Sequence, residues 1–249
     1  MTYDEYIKNP MGVGASVISN RGLYYRLYNE KWDALLAREN NDIQYNLYKD
    51  NNDYYIHLKI PSEGLSNFYY DTIIRFYLKS EEKSKEMEMS LKNYSVQFYS
   101  NDPSFVFSFG YAFTQKGMVI PDLKSKMSPM TKEQAVVRNP LGQIGYVKSL
   151  YFAYLQMNRL NLFAKSRWIN AAKYKKSVWS TVEKAEDKIR IRQEMAKTLS
   201  KQKKADVNIN KQTKSKKKGK HIYDSPNTPN FGRMDSRIKP ASYMSRKAK

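Results

Sequence analysis

Between Asn20 and Arg38 apolar side chains recur every three or four positions, at Tyr24, Tyr28, Trp32, Leu35 and Leu36, behind Ser19 or Asn20 as a cap. That spacing predicts an amphipathic helix docked on a core. The period then falls to two. Ile43, Tyr45 and Leu47 alternate with polar neighbours, and Ile56, Leu58 and Ile60 alternate with Tyr55, His57 and Lys59. With Asp50-Asn51-Asn52-Asp53 between the two runs, the pattern predicts a hairpin in which His57 lies on the strand surface. Runs rich in Tyr, Phe, Val and Ile at Phe68 to Leu78, Leu91 to Tyr99 and Ser104 to Phe113 predict three more strands. Ser100-Asn101-Asp102-Pro103 reads as a turn, and the charged piece Glu81 to Glu88 as an exposed loop.

Helical spacing returns after Ser128-Pro129, and again from Gly145 to Phe163 with Val147, Leu150, Tyr151, Tyr154, Leu155 and Leu162 as its stripe. From Ser166 to Leu199 a narrow stripe of Trp168, Ala172, Trp179, Val182, Ile189 and Ala196 predicts one long helix, about 50 Å at about 1.5 Å per residue. Asn-Pro-x-Gly occurs at Asn9 and at Asn139, and each suits a turn. The fold class is therefore α+β: an antiparallel sheet of about five aromatic-rich strands with packed helices, then a long helix and an extended basic C-terminal arm. The expected divisions are a compact domain over 1–163, an amphipathic basic helix over 164–200, and a lysine-rich arm with a docking tail over 201–249.

Charge sharpens these divisions. Of the net +20, residues 170–249 hold 23 basic and 7 acidic groups, so the last third is a polycation behind a domain of ordinary balance. The 21 Tyr, 10 Phe and 3 Trp fall mostly before it, and a few buried aromatics are enough to hold a domain. Cysteine is absent, which excludes disulfides, thiol catalysis and Cys-ligated zinc and suits a reducing compartment. The opening MTYDEYIKNP carries acids and no apolar segment, unlike a signal peptide, and no apolar run reaches the ~20 residues of a membrane helix.

Candidate chemistry is sparse. Two histidines, His57 and His221, supply neither a triad nor a metal cluster. Gly12-Val13-Gly14 lacks a preceding strand and a third glycine. Asp102 followed by Asp122-Leu123-Lys124 has the acid, acid-x-lysine layout of a nuclease family that it superficially resembles, in which two carboxylates hold a divalent cation. Asp-x-Lys also arises by chance in a lysine-rich chain. No catalytic residue, cofactor or metal is expected, and the chain is expected not to be an enzyme.

Between Lys197 and Lys220 stand ten lysines and one acid. Such a run buries too little to offset ordering entropy, so it is expected to be disordered or only partly helical when free. Lysine, lacking arginine's fork, favours sequence-blind phosphate contact. The expected polyanion-binding residues are Lys201, Lys203, Lys204, Lys211, Lys214, Lys216, Lys217, Lys218 and Lys220. Beyond them, spaced apolar anchors among Pro, Ser and Arg read as an extended docking peptide. The expected partner-docking residues are Ile222, Tyr223, Phe231, Ile238 and Tyr243, together with Trp168 and Trp179.

The aromatic block Asn93 to Phe113, the turn and helix Arg138 to Leu155 and the arm Ile222 to Met244 give a layout that resembles small virion proteins of tailed bacteriophages, those of the neck, connector or tail. The resemblance implies a structural assembly protein, oligomeric within its particle and located in the virion after assembly in the host cytoplasm. Its implied partners are other structural proteins, DNA or RNA through phosphate contacts, and no membrane. A soluble nucleic-acid-binding accessory protein is the alternative, and a metal-dependent nuclease the third.

Overall fold

In the computed structural model, which describes residues 1–8, 21–79, 90–127, 133–134, 139, 142–145 and 147–217, five strands form one sheet. They are β1 (Tyr45–Asp50), β2 (Asp53–Pro61), β3 (Tyr69–Tyr77), β4 (Ser95–Ser100) and β5 (Ala172–Lys173), in the spatial order β4-β3-β2-β1-β5. The first four pair antiparallel, and β5 joins β1 in parallel through Tyr48–Ala172 and Lys49–Lys173. The hairpin predicted at Asp50 to Asp53 is present. Asn51 sits at φ 49, a left-handed conformation that Asn tolerates.

One face of the sheet carries Tyr54, Ile56 and Leu58 of β2, Ile74 and Phe76 of β3, and Phe98 of β4 into the main core. Four helices cover it: α1 (Tyr3–Lys8), α2 (Arg21–Arg38), α3 (Gly110–Gln115) and α4 (Lys148–Arg159). Trp32 of α2 stacks on Phe152 of α4 at 5.1 Å between ring centres. Tyr3 and Tyr6 are buried, and each places its hydroxyl: Tyr3 donates to the Leu150 carbonyl at 2.5 Å, and Tyr6 to that of Gly145 at 3.1 Å. The Tyr6 oxygen also accepts from the Val147 N–H at 3.0 Å, so neither of these two buried hydroxyls is stranded. Gly145 lies so close that a Cβ there would stand 1.9 Å from the Phe109 ring.

The opposite face is covered as well, and the long helix expected from Ser166 to Leu199 is present but starts only at Ala185. Residues 165–184 form a strap instead, with a short 3-10 turn at Lys165–Trp168, β5 at the sheet edge, and a second 3-10 segment at Lys176–Thr181. Trp168 packs edge-on to Tyr54 in the main core, at 5.4 Å. Trp179 and Val182 pack with Tyr55, Ile73 and Tyr99 in the second core. Tyr54 and Tyr55 are successive on β2 and point to opposite faces, so a straight helix could not bury both tryptophans. The strap rounds the β1 edge to reach them. Trp168 and Trp179, expected to dock a partner, are each 2% exposed and fill this chain's own core.

Ser104 to Phe113, expected as a strand, is helical: a π-helix at Phe105–Phe109 runs into α3. Phe105, Phe107 and Phe109 alternate, but Phe105, Phe109 and Phe113 also repeat at four, and those three are the buried ones. Helix α5 (Ala185–Lys217) starts with Ala185 in the main core, and Ile191 and Met195 pack on Leu65, Phe68 and Tyr70. One compact unit thus reaches Lys201 and not 163, because strap and helix complete both faces. The second unit, Gln202–Lys249, is described as far as Lys217 and is helical over that stretch. The predicted helix after Ser128 and the loop at 81–88 lie outside the described residues. Among the described residues no helix is long and apolar enough to cross a membrane.

Candidate functional site

Two places concentrate candidate chemistry: the lysine-bearing later turns of α5, and a cleft beside its first turns. Every residue from Ala196 to Gln202 is exposed, so this stretch of α5 buries no side chain. The backbone of Lys201, Lys203, Lys204, Lys211, Lys214, Lys216 and Lys217 belongs to this helix, in a run expected to be disordered or only partly helical when free. Ala, Lys and Gln are strong helix formers, and a helix already nucleated on the domain extends at little further cost. Lys218, Lys220, Ile222, Tyr223, Phe231, Ile238 and Tyr243 lie outside the described residues.

The cleft has a volume of about 530 Å³. Its floor is the turn Asp102-Pro103-Ser104 and the π-helix residue Ser108; α4 contributes Lys148, Ser149 and Phe152. Tyr70 and the loop after β2 form one wall, and Arg192 of α5 the other. Asp102 caps the helix that follows: its Oδ1 accepts the Ser104 N–H at 2.8 Å. Ser149 also hydrogen-bonds its carboxyl, and Lys148 and Arg192 lie within electrostatic reach. Burial still dominates and holds the carboxyl above its ordinary range. Arg192 meets the Tyr70 hydroxyl, but its Nε is buried with no partner. At the rim Lys148 pairs with Glu63 at 2.6 Å.

Behind the cleft lies a second buried carboxylate. Asp71 on β3 accepts from His57 Nε2 at 2.8 Å, from Lys59 Nζ, and from Asn101 Nδ2 at 2.9 Å, while its N–H donates to Asn101 Oδ1 at 2.8 Å. Burial pushes this carboxyl up, but the bonds from His57 and Lys59 outweigh it and hold Asp71 well below the usual carboxylate range. His57 is therefore not a surface residue. It is 5% exposed, because the strap lays Trp179 across the face that alternation alone leaves to solvent.

The acid, acid-x-lysine pattern is not brought together as one site. Asp122 accepts from the Tyr174 hydroxyl and faces Lys176 at 3.4 Å, whereas Asp102 answers to Ser104 and Ser149. Among the described residues no three His, Asp or Glu side chains group as metal ligands. Comparison of the chain with family models, curated proteins and solved structures gives no match. Lys148 and Arg192 carry no local signal among 44 basic residues. Asp102 stood out through the Ser-Asn-Asp-Pro turn and as the first acid of the acid, acid-x-lysine layout, and neither points to this cleft.

Proposed function

We propose that the protein is a structural component of a large assembly, of the kind that forms the neck, connector or tail of a tailed-bacteriophage virion. It joins a rigid domain to neighbours and to nucleic-acid phosphates through its basic C-terminal third. The observation that carries this is the division of α5: its first turns are seated by Ala185, Ile189, Ile191 and Met195, and the turns from Ala196 to Gln202, which lead into the lysine-bearing stretch, are exposed. The large apolar side chains exposed among the described residues are scattered, at Met1, Tyr45, Ile169 and Leu199, and form no broad apolar docking patch among those residues. Engagement then falls to the arm, by charge along α5 and by the anchors Phe231, Ile238 and Tyr243.

Binding of the full chain to duplex DNA at graded salt tests the electrostatic half. Neutralising about 8 phosphates gives a log-log slope near −7, so a fourfold rise in salt weakens binding by about 10⁴. Replacing the α5 lysines from Lys201 to Lys217 by Gln is expected to flatten that slope, and undetectable or salt-insensitive binding overturns the reading. Replacing Phe231, Ile238 and Tyr243 by Ser is expected to leave the slope intact and to abolish incorporation into the parent particle. Normal incorporation of that triple variant would instead favour a soluble nucleic-acid-binding accessory protein, to which a cationic helix is equally suited.

A further inference from the structure

The cleft holds unspent groups of both signs. Asp102 is 9% exposed, spends one oxygen on its helix cap, and has only hydroxyl and amide donors in direct contact. Arg192 keeps a buried Nε–H without an acceptor. An unpaired donor in a desolvated site is unfavourable, and a ligand acceptor would recover the lost hydrogen bond. The rim pair Lys148–Glu63 is internally neutralised, which leaves the interior with one potential anion and one cation. Ser104, Ser108 and Ser149 also line the cleft, and Ile60, Pro61 and Phe152 supply apolar wall. The floor is built on a π-helix, a feature concentrated at functional sites because its widened turn re-aims side chains. A cavity of about 530 Å³ is within the range that takes a small molecule.

We propose that this cleft binds a small zwitterion of the free α-amino-acid class, with its ammonium on Asp102 and its carboxylate on Arg192. A plain anion fits poorly, because Asp102 would face it without a partner. A plain cation leaves the Arg192 Nε–H unanswered. The zwitterion meets both, and its side chain has Phe152 and Ile60 to lie against. Arg192 belongs to α5 and Asp102 and Ser149 to the domain floor, so the bound molecule ties the first turns of that helix down. This site is independent of phosphate binding by the later turns.

The test is calorimetry and thermal melting of the full chain against each of the twenty free L-amino acids, then against the N-acetylated and the decarboxylated forms of the best binder. At least one amino acid at about 10 mM is expected to raise the melting temperature, and loss of either charged end to weaken binding about tenfold or more. Asp102→Asn is expected to remove the preference for a free amine, and Arg192→Gln the preference for a free carboxylate; circular dichroism verifies that both fold. Absence of a shift from all twenty overturns the proposal. So does an equal shift from inorganic phosphate that Asp102→Asn leaves unchanged, which would mark an anion site. Either failure leaves the salt dependence of DNA binding untouched, so the two readings stand or fall separately.

Discussion

Asp71 and Asp102 are both buried acids and both depend on the same four-residue turn, which hands Asn101 to one and presents Asp102 itself to the cleft. Their surroundings could hardly differ more. Asp71 has two cationic or potentially cationic donors and an amide clamped in two-point contact, and its charge is favoured. Asp102 has an amide N–H and a serine, with its cations further off, and burial works against its charge. A carboxylate whose partners are complete contributes to holding a sheet together. One whose partners fall short retains capacity for something from outside.

The contrast can be broken most severely from the strap. Trp179→Ala removes the ring that lies 6.1 Å from His57 and caps the second core, and is expected to cost about 3 to 5 kcal/mol in urea unfolding, with water reaching Asp71. Next in size is Asp71→Asn, expected to cost about 3 kcal/mol at pH 7 by leaving the buried side of His57 and Lys59 without its anion. The sign follows from the depressed pKa. Asp71 contributes its full stabilisation above the unfolded value near pH 4 and loses it as pH falls toward the lower folded value, so the variant's acid limb is expected to be shallower than the parent's. Smallest is Asp102→Asn, because Asn caps a helix as well as Asp does. It is expected to change stability by no more than about 1 kcal/mol. The change runs toward greater stability at neutral pH: a carboxyl raised by burial makes the parent lose stability as pH rises above its ordinary value, and the amide does not titrate. Thermal melts from pH 3 to pH 8, about the range of carboxylate titration, compare the two variants directly.

Much of the sheet was legible in the sequence because period-two alternation at β1 and β2, and the Asn-rich turn between them, are local signals. The same alternation misled at His57, since it reports which residues share a face and not what comes later to cover that face. The tryptophan stripe misled for a related reason: spacing near 3.5 is satisfied by a helix, and equally by a segment that turns a corner between two cores. At Phe105 to Phe113 two periods coexist in one run, and tertiary packing chose the longer. The cleft was illegible altogether. Asp102, Lys148 and Arg192 come from three distant elements, and nothing local distinguishes those two basic residues from the rest.

The buried tyrosines of α1 carry a consequence for how the chain is made. The Tyr3 hydroxyl meets a carbonyl 147 positions further on, and that of Tyr6 one 139 positions on. A nascent chain therefore holds its first aromatic residues without a destination until α4 has left the ribosome, and the second core waits longer still, for Trp179. High contact order of this kind slows closure and keeps apolar surface open to other nascent chains meanwhile. Synthesis in bulk would then depend on chaperone occupancy of the amino-terminal segment, and slowing elongation after α4 would improve the yield of folded protein more than slowing it before.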